Sequence, residues 1–337
     1  MPVFNGLVAE EHQVIQMARL IFYGTGNLAA TVLSTLHKAG HDIALVVCEP
    51  DFKVPPEAAM LLRQVKGESG MDFIRPSAAA CAERLGLKII QPASLKDREL
   101  PELMDAKADV AVACEYGLFV PKRIRELPSH GTLNLHTALL PKYRGPTAVQ
   151  SALINGEEEA GVTIILMNDG IDCGPIVAAA PLKVGPEATA LSLEAELSNL
   201  GAALLLETLP RWLAGEIRPV PQDESKATWC HPISRKDGRI DWRKKRGGIY
   251  NRFRGLCGWT GVWSMVGGST IEFFSLRPAA SSPGFQPGKM VFRGGRIFIG
   301  CGDGSMEVLR LKKGRDGVLE AAEFIKSHPE MDGQTVE

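Results

Sequence analysis

The sequence predicts an α/β fold: a Rossmann-like domain with a parallel sheet, followed by a smaller C-terminal β-barrel domain of the OB-like type. Strand-like apolar runs alternate with helix-like segments through most of the chain, a pattern typical of a parallel sheet covered by helices. A proline-rich stretch at residues 215–224 ends this alternation. Short β-rich runs separated by glycine-rich turns follow it, as in a small antiparallel barrel.

The alternating region contains its predicted elements in a regular order. We expect strands at 19–23, 43–48, 88–90, 110–114, 132–136 and 162–167, and helices at 28–39, 77–85, 100–105, 122–126 and 190–214. Residues 51–75 interrupt this order with paired prolines, two glycines and scattered basic residues. We expect a long excursion there that carries a helix near 57–66.

The barrel strands are expected at 261–265, 270–275, 289–293, 296–300 and 305–311. We therefore divide the chain into an N-terminal extension (1–17), a Rossmann-like domain (18–214), a linker (215–225), a basic barrel domain (226–318) and a C-terminal tail (319–337). A chain of 337 residues comfortably supplies two hydrophobic cores.

Composition excludes several classes of protein. No run approaches the ~18 to 20 apolar residues of a membrane-spanning helix. The first sixteen residues contain Glu10 and Glu11 but no Lys or Arg, which is unlike a signal or transit peptide. The seven cysteines include no close pair, which argues against a disulfide framework and a zinc ribbon. We expect a cytoplasmic protein without a metal and without membrane association.

The net charge of −1 hides a strongly basic segment. Residues 1–225 contain 19 Lys/Arg and 28 Asp/Glu, residues 226–316 contain 18 and 6, and residues 317–337 contain 1 and 5. The net charges of the three segments are therefore −9, +12 and −4, which sum to −1. Clustered cations attract polyanions through counterion release, so the second domain favours a nucleic-acid partner. A solvated basic face is the alternative.

A glycine-rich turn, Gly24-Thr-Gly26-Asn-Leu-Ala, lies between the first predicted strand and helix and nearly matches the dinucleotide-binding fingerprint. Glu49 and Asp51 stand near the position of the ribose-binding acid. A nicotinamide oxidoreductase is one interpretation. The other is a tight strand-to-helix turn that favours glycine for its geometry.

Asn134 and His136 are two residues apart on a predicted strand, so their side chains face the same way. They lie at its carboxyl end, the edge where open α/β sheets bind ligands. An amide N–H stabilises a developing oxyanion and an imidazole exchanges protons, which suits acyl transfer. A histidine satisfied within the core is the alternative for His136.

Asp172 lies on a glycine-flanked loop after the strand predicted at 162–167. A carboxylate there would orient His136 and raise its basicity, or would accept a proton from an attacking ammonium group. An ordinary aspartate in a turn is equally compatible with the sequence.

Four segments together resemble the signature of the 10-formyltetrahydrofolate-dependent formyltransferases. They are Asn134-Leu-His136, Leu139-Leu-Pro-Lys-Tyr-Arg-Gly145, Gly161-Val-Thr-Ile and Gly170-Ile-Asp172-Cys-Gly174. The turn at Gly24, Glu115-Tyr-Gly117, Ile240-Asp241-Trp242 and Gly302-Asp-Gly304 extend the resemblance over nearly the whole chain. The two-domain layout resembles that of the members that formylate methionyl-tRNA.

The resemblance implies transfer of the formyl group of 10-formyltetrahydrofolate to the α-amine of methionyl initiator tRNA, with release of tetrahydrofolate and without metal or NAD. It implies that Asn134 holds the oxyanion, that His136 donates or accepts a proton, and that Asp172 pairs with His136 and takes the amine's proton. The implied pterin contacts are Cys114, Glu115, Tyr116, Gly117, Leu118, Asn168, Asp169 and Ile171. The implied acceptor contacts are Gly24, Gly26, Arg63, Lys66, Tyr143, Arg144, Gly145, Arg243, Lys244, Lys245 and Arg246.

Three departures from the family pattern concern the acceptor more than the reaction. The 51–75 excursion is longer and less basic than the family's usual loop. Glu115 stands where alanine is usual, and Cys173-Gly-Pro175 stands where Thr-Gly-Asp is usual. The alternatives are formylation of an amino-sugar nucleotide, hydrolysis of 10-formyltetrahydrofolate, and a noncatalytic RNA-binding protein on an inherited fold. The basic second domain favours a macromolecular polyanion.

Overall fold

The computed structural model describes residues 17–53, 73–74, 77–96, 100–280 and 284–337. The chain forms two compact units that do not follow a single cut in the sequence. The first comprises Met1–Arg144, Gly161–Leu182 and Glu194–Thr228, and the second comprises Gly145–Ala160, Lys183–Leu193 and Trp229–Glu337. The helix predicted near 57–66, with Arg63 and Lys66, lies outside the described residues.

Alternating strands and helices occupy the chain up to residue 213. The strands are β1 (Arg19–Gly24), β2 (Asp42–Val47), β3 (Phe52–Lys53), β4 (Phe73–Ile74), β5 (Ile89–Ile90), β6 (Val110–Cys114), β7 (Thr132–His136), β8 (Glu159–Leu166) and β9 (Ile176–Lys183). The helices are α1 (Asn27–Lys38), α2 (Ser77–Arg84), α3 (Pro101–Asp105), α4 (Lys122–Arg125), α5 (Ala148–Asn155) and α6 (Ala190–Leu213). Helix α5 and strands β3, β4 and β9 were not among the elements predicted from the sequence.

The main sheet has seven strands in the order β5-β2-β1-β6-β7-β8-β9. The pairs β5–β2, β2–β1, β1–β6 and β6–β7 are parallel, which confirms the Rossmann-like fold. β8 pairs antiparallel with β7, so the sheet is mostly but not entirely parallel. An apolar strand has the same sequence pattern in either direction, so the sequence contained no signal for this reversal.

Both faces of the central strand β1 are covered. Phe22 and Tyr23 point to opposite faces, yet each is 0% exposed. On one side of the sheet α1 contributes Leu28, Val32 and Leu36, which recur every four residues and are all buried. Burial on both faces explains why β1 has a continuous apolar sequence.

The carboxyl ends of β1, β6 and β7 meet at one edge of the sheet. Gly24 lies opposite Cys114, and Cys114 lies opposite Leu135. Residues that follow these positions are therefore neighbours although they are far apart in sequence. This register brings together the glycine-rich turn, the segment after Cys114, and His136.

The second unit contains a small antiparallel barrel, as predicted. Its strands are β10 (Val262–Val266), β11 (Ser269–Pro278), β12 (Met290–Arg293), β13 (Arg296–Cys301), β14 (Gly304–Lys313) and β15 (Leu319–Glu320), and its further helices are α7 (Arg246–Leu256) and α8 (Ala321–Ser327). The order is β10-β11-β14-β13-β12, and β15 pairs with β14. α5 packs on α7, where Gly255 allows close approach to the carbonyl of Gln150.

Residues 333–337 connect the two edge strands of this barrel. Met265 of β10 exchanges two main-chain hydrogen bonds of 2.8 Å with Glu337. On the other edge, Met290 of β12 donates to the carbonyl of Gln334 and accepts from the amide of Gly333, both at 2.9 Å. The same short segment thus satisfies two edges that would otherwise present unpaired backbone groups.

Three further observations concern the described residues alone. No helix within them has both the length and the apolar character needed to cross a membrane. No cluster of three or more His, Cys, Asp or Glu side chains in these ranges is arranged to hold a metal ion. All seven cysteines are described and are free thiols.

α8 anchors the end of the chain to the barrel core through Phe324. Phe324 is 0% exposed, whereas Phe274 on β11 is 44% exposed. Phe324→Ala should destabilise the second unit by about 3–5 kcal/mol, because it leaves a cavity. Phe274→Ala is the matched control and should cost much less. Urea denaturation of both variants measures the difference, and equal losses would contradict the assigned burial.

Candidate active site

Asn134, His136 and Asp172 come together at the carboxyl edge of the sheet. Asn134 and His136 lie on β7, and Asp172 lies on the loop that follows β8. Nδ2 of Asn134 donates to Oδ1 of Asp172 at 3.1 Å, and Oδ2 of Asp172 lies 3.6 Å from Nδ1 of His136. One carboxylate therefore links both side chains of β7.

The main chain orients the imidazole ring of His136. Its Nε2 lies 2.8 Å from the carbonyl oxygen of Tyr143. Because a carbonyl oxygen only accepts, Nε2 carries a hydrogen, and in a neutral ring Nδ1 then presents its lone pair to Asp172. One added proton converts this repulsive contact into an ion pair. The geometry therefore allows the two side chains to hold one proton between Nδ1 and Oδ2.

Three residues of the predicted site have a left-handed backbone that side chains other than glycine rarely adopt. The φ angles are +49° at Glu115, +58° at Tyr143 and +50° at Asp172. Such conformations cost ~1 to 3 kcal/mol each and are maintained by the surrounding structure, typically at functional sites. The strain therefore clusters where the sequence predicted chemistry.

The loop that carries Asp172 is closed by its own hydrogen bonds. The amide of Leu166 donates to the carbonyl of Pro175 at 3.0 Å, and the Sγ of Cys173 donates to the carbonyl of Ile171 at 3.0 Å. Gly174 packs directly on the carbonyl of Leu166, where a Cβ would overlap it. Pro175, which lacks a donor, serves as an acceptor here. The loop is therefore pinned at its base.

The predicted pterin segment after β6 mixes buried and accessible groups. Cys114 is 0% exposed and Leu118 is half-buried. The amide of Gly117 donates to Oε1 of Glu49 at 2.7 Å. The ring of Tyr116 lies 5.4 Å from that of Tyr23, and its buried hydroxyl has no hydrogen-bond partner among the described residues.

On the opposite predicted segment, Oδ1 of Asn168 accepts from the amide of Gly170, and Asp169 pairs with buried Arg125 at 2.6 Å. Ile171 is 67% exposed, an unusual state for a large apolar side chain. An accessible apolar group beside fixed polar main-chain groups fits a flat heteroaromatic ring with polar edges.

The carboxyl group of Glu115 reaches the glycine-rich turn, although the residue as a whole is exposed. Its Oε2 accepts from the amide of Ala29 in the first turn of α1 at 3.2 Å. A Cβ at Gly26 would overlap this carboxyl group. The positive end of α1 thus already faces an acid of the same chain, which disfavours a dinucleotide pyrophosphate at Gly24 and Gly26.

Burial of the Glu115 carboxyl group raises its pKa to about 7, and the nearby carboxyl group of Glu194 adds to this effect. The hydrogen bond from Ala29 opposes the shift without cancelling it. A proton on Glu115 therefore stabilises the folded state near neutral pH.

Arg144 is buried and bound within the chain. Its side chain is 2% exposed and donates to both carboxylate oxygens of Glu224, at 2.8 and 2.7 Å, and to Oε1 of Gln222. The amide of Tyr143 donates to Oγ1 of Thr228 at 2.9 Å. Gly145, with a φ of +112°, is the first residue of a segment of the second unit.

Sequence reasoning missed Gln222, Glu224 and Thr228. Gln222 and Glu224 lie within the stretch for which a linker was expected, and Thr228 follows it. Glu224 contacts Arg144 and Thr228 contacts Tyr143, each across more than seventy positions of sequence. Gln222 contacts Asp172 across fifty positions. No local periodicity or motif marks such contacts, so the sequence contained no signal for them.

The basic cluster 243–246 lies in the second unit, and two of its members have acidic partners. Arg243 pairs with Asp241 at 2.8 Å, and Arg246 pairs with Asp303 at 3.5 Å. Lys244 and Lys245 are exposed and form no ion pair with any described residue. Elsewhere on the barrel, Arg277 and Arg296 share the buried Glu307, and Lys313 pairs with Glu330. The unit's positive field therefore depends on fewer cations than the sequence count indicates.

Comparison with known proteins identifies the class. Residues 17–209 match the family described as "Formyl transferase", and residues 232–329 match "Formyl transferase, C-terminal domain". The chain therefore belongs to the formyltransferase family, as the sequence motifs predicted.

Relatives over the full length point to one kind of formyltransferase. The protein named methionyl-tRNA formyltransferase in Acidobacterium capsulatum is 34% identical over 313 residues, which are 92% of this chain and 96% of the relative. The protein of the same name in Enterococcus faecalis is 32% identical over 312 residues, which are 92% and 96% of the two chains.

Solved structures share the fold. An N-formyltransferase from Helicobacter canadensis, in complex with folinic acid and dTDP-3-aminofucose, has a TM-score of 0.63 at 19% identity and covers 87% of this chain and 99% of its own. HypX from Aquifex aeolicus, in complex with tetrahydrofolic acid, has a TM-score of 0.60 at 18% identity over 92% of this chain. This chain spans about half the length of HypX (47%).

The raised pKa of Glu115 predicts a specific dependence of stability on pH. The folded state holds the proton more tightly than the unfolded chain, so this contribution is complete below about pH 4.5 and is lost as the pH rises through about 7. Glu115→Gln keeps a neutral side chain at every pH. Its Tm should therefore decline less than that of wild type between about pH 5 and pH 8.

Thermal denaturation by circular dichroism across this range provides the measurement. Glu126→Gln removes a carboxylate that is 58% exposed and should retain the wild-type pH dependence. If Glu115→Gln and wild type lose the same Tm over the range, the carboxyl group of Glu115 is not protonated in the folded state near neutrality.

Proposed function

We propose that this protein transfers the formyl group of 10-formyltetrahydrofolate to the α-amine of methionyl initiator tRNA. The observation that carries the proposal is the contact of one carboxylate, Asp172, with both Asn134 and His136. The full-length relatives named methionyl-tRNA formyltransferase support the choice of acceptor. Hydrolysis and amino-sugar formylation lack a comparable observation in this chain.

Asn134 stabilises the charge that develops on the formyl oxygen during attack by the amine. One N–H of its amide is committed to Asp172. The second N–H is the donor for the oxyanion, and because Asp172 holds the amide in place, little reorganisation is needed as charge develops. Removal of a single donor of this kind typically costs ~3 to 4 kcal/mol of transition-state stabilisation.

The α-ammonium group loses one proton to solvent before attack, and His136 and Asp172 take up the second proton, which the amine loses as it becomes an amide. Their side chains are only 9% and 13% exposed, so bulk water competes little for that proton. The proton resides between Nδ1 and Oδ2, where it removes the repulsion of the neutral pair, and it is then returned to the leaving amine of the folate. The hydrogen bond from Nε2 to Tyr143 keeps the ring in register throughout.

10-Formyltetrahydrofolate supplies the activated formyl group when it is bound. The segments 114–118 and 168–172 hold its pterin, largely through main-chain groups, with Ile171 as the apolar contact. The protein's partners in this proposal are the initiator tRNA and the tetrahydrofolate that the reaction releases. We assign the reaction to the cytoplasm, where seven free thiols remain reduced.

Substitutions of the three residues test the reaction. Asn134→Ala, His136→Ala and Asp172→Ala should each lower kcat by about two to four orders of magnitude, because each removes a group that acts on the transition state. The matched control is His130→Ala, because His130 lies on the loop before β7 and has no proposed role in catalysis. Single-turnover formylation of charged initiator tRNA, followed by mass analysis of the amino acid, measures the effect. Near-wild-type turnover in two of the three variants would refute the assignment.

Salt dependence tests the acceptor. Replacing the exposed Lys244 and Lys245 with Gln should weaken tRNA binding. It should also lower the steepness of the dependence of log K on log salt by about 1 to 2, because fewer phosphate contacts release fewer counterions on binding. Folate affinity should stay unchanged. The control pair Lys38→Gln and Lys122→Gln changes the net charge by the same amount and lies in the first unit.

Binding of tRNA at two or more salt concentrations gives the slopes. An unchanged slope in the Lys244 and Lys245 double variant would remove these cations from the tRNA interface. Replacement of tRNA by an amino-sugar nucleotide in the same transfer assay tests the other acceptor class. Faster transfer to that small acceptor than to tRNA would overturn the proposed substrate.

A further inference from the structure

The amide of Gln222 connects the loop of Asp172 with Arg144. Its Nε2 donates to the carbonyl of Asp172 at 2.7 Å and to the carbonyl of Gly174 at 2.8 Å. Its Oε1 accepts from Nε and Nη2 of Arg144 at 3.1 and 2.8 Å. Carbonyl oxygens only accept and a guanidinium only donates, so the partners fix the orientation of this amide unambiguously.

Arg144 is in turn fastened by Glu224. The guanidinium is 2% exposed and forms a two-pronged pair with the carboxylate of Glu224, which is 71% exposed. This hydrogen bond raises the pKa of Arg144 and lowers that of Glu224, so both groups remain charged. The planar fork of the guanidinium addresses Gln222 and Glu224 at once, which a lysine could not do.

The same segment of chain also holds the other half of the site. Oγ1 and the carbonyl of Thr228 accept from the amides of Tyr143 and Arg144, each at 2.9 Å. The carbonyl of Tyr143 is the acceptor for Nε2 of His136. Thr228 therefore fixes the group that sets the ring orientation of His136.

We propose that residues 222–228, here termed the brace, set the geometry between His136 and Asp172, with Gln222, Arg144 and Thr228 as positioning residues. The brace acts from two sides: Gln222 holds the backbone of Asp172, and Thr228 holds the backbone that binds His136. Asp172 and Tyr143 are left-handed, so each needs such external contacts to keep its conformation. This inference rests on the proposed function, since positioning matters for catalysis only if His136 and Asp172 act in the reaction.

The geometry separates this role from direct binding of the acceptor by Arg144. Both terminal nitrogens and Nε of Arg144 donate to Gln222 or Glu224. The Arg144 side chain is 2% exposed and its donors are bonded to Gln222 and Glu224, so it does not present a face to an incoming phosphate. A positioning residue affects kcat, whereas a binding residue affects chiefly the KM for the acceptor.

Gln222→Glu is the decisive substitution. It is close to isosteric and keeps an acceptor for Arg144, but it replaces the two N–H donors with an oxygen that repels the carbonyls of Asp172 and Gly174. We expect kcat to fall by about tenfold to a hundredfold, because small misplacements of catalytic groups cost this much. KM for both substrates should change by less than about threefold. Gln286→Glu, at an exposed glutamine of the second unit, is the charge-matched control.

A second readout does not depend on activity. The ring-nitrogen chemical shifts of His136, assigned by comparison with His136→Gln, should differ between Gln222→Glu and wild type in NMR spectra of labelled histidine, because the distance of the ring from Asp172 changes. Thr228→Val removes one hydroxyl acceptor at nearly constant volume and should also alter the signal of His136. It keeps the test available if Gln222→Glu does not fold.

The outcomes distinguish the two proposals. If Asp172→Asn abolishes transfer while Gln222→Glu and Thr228→Val retain wild-type kcat and wild-type chemical shifts of His136, the brace is refuted and the proposed function stands. If Asp172→Asn retains full activity, the proposed function fails, and the chemical shifts of His136 still report whether the brace sets the geometry. Arg144→Lys with an unchanged kcat and a raised KM for tRNA would make Arg144 a binding residue and refute its role as a positioning residue.

Discussion

The contact of the Asp172 carboxylate with Asn134 and His136 is the interaction on which the rest of the site depends. It joins a strand of the sheet to a loop 38 residues further along the chain, and that loop has no regular secondary structure to keep it in place. The loop is held by the Leu166–Pro175 hydrogen bond, by the close packing of Gly174 and by the amide of Gln222. A left-handed backbone at Asp172 is sustained by these contacts together.

Several carboxylates of this protein bind positively charged or donor groups of the same chain. Glu115 faces the positive end of α1, where a phosphate-binding protein would admit its ligand. Glu307 gathers two arginines of the barrel, and Glu224 fixes Arg144. Basic residues counted in the sequence are therefore not all available to a polyanion. The exposed Lys244 and Lys245 form no ion pair with any described acid, and they are therefore the best candidates for contacts with a polyanion.

The brace lies at the end of the last segment of the first unit. Thr228 is the last residue of the first unit, and Trp229 begins the long C-terminal part of the second. The segment that follows Arg144 likewise passes from the first unit to the second at Gly145. Two of the five points at which the chain passes between the units therefore adjoin the proposed positioning residues Arg144 and Thr228.

The sequence by itself determined the fold class, the family and the Asn-x-His pattern, because these depend on local periodicity and on short motifs. The alternation of strands and helices, the barrel, and the same-face placement of Asn134 and His136 all follow from spacing within a few residues. Only the tertiary structure decided the reversed direction of β8, the inward course of Arg144, the contact of Glu115 with the turn at Gly26, and the hydrogen bonds of Gln222. These features are contacts between residues that lie tens of positions apart in sequence, and no local sequence pattern indicates the partner. Each contact is determined by burial and hydrogen-bond geometry in the folded chain.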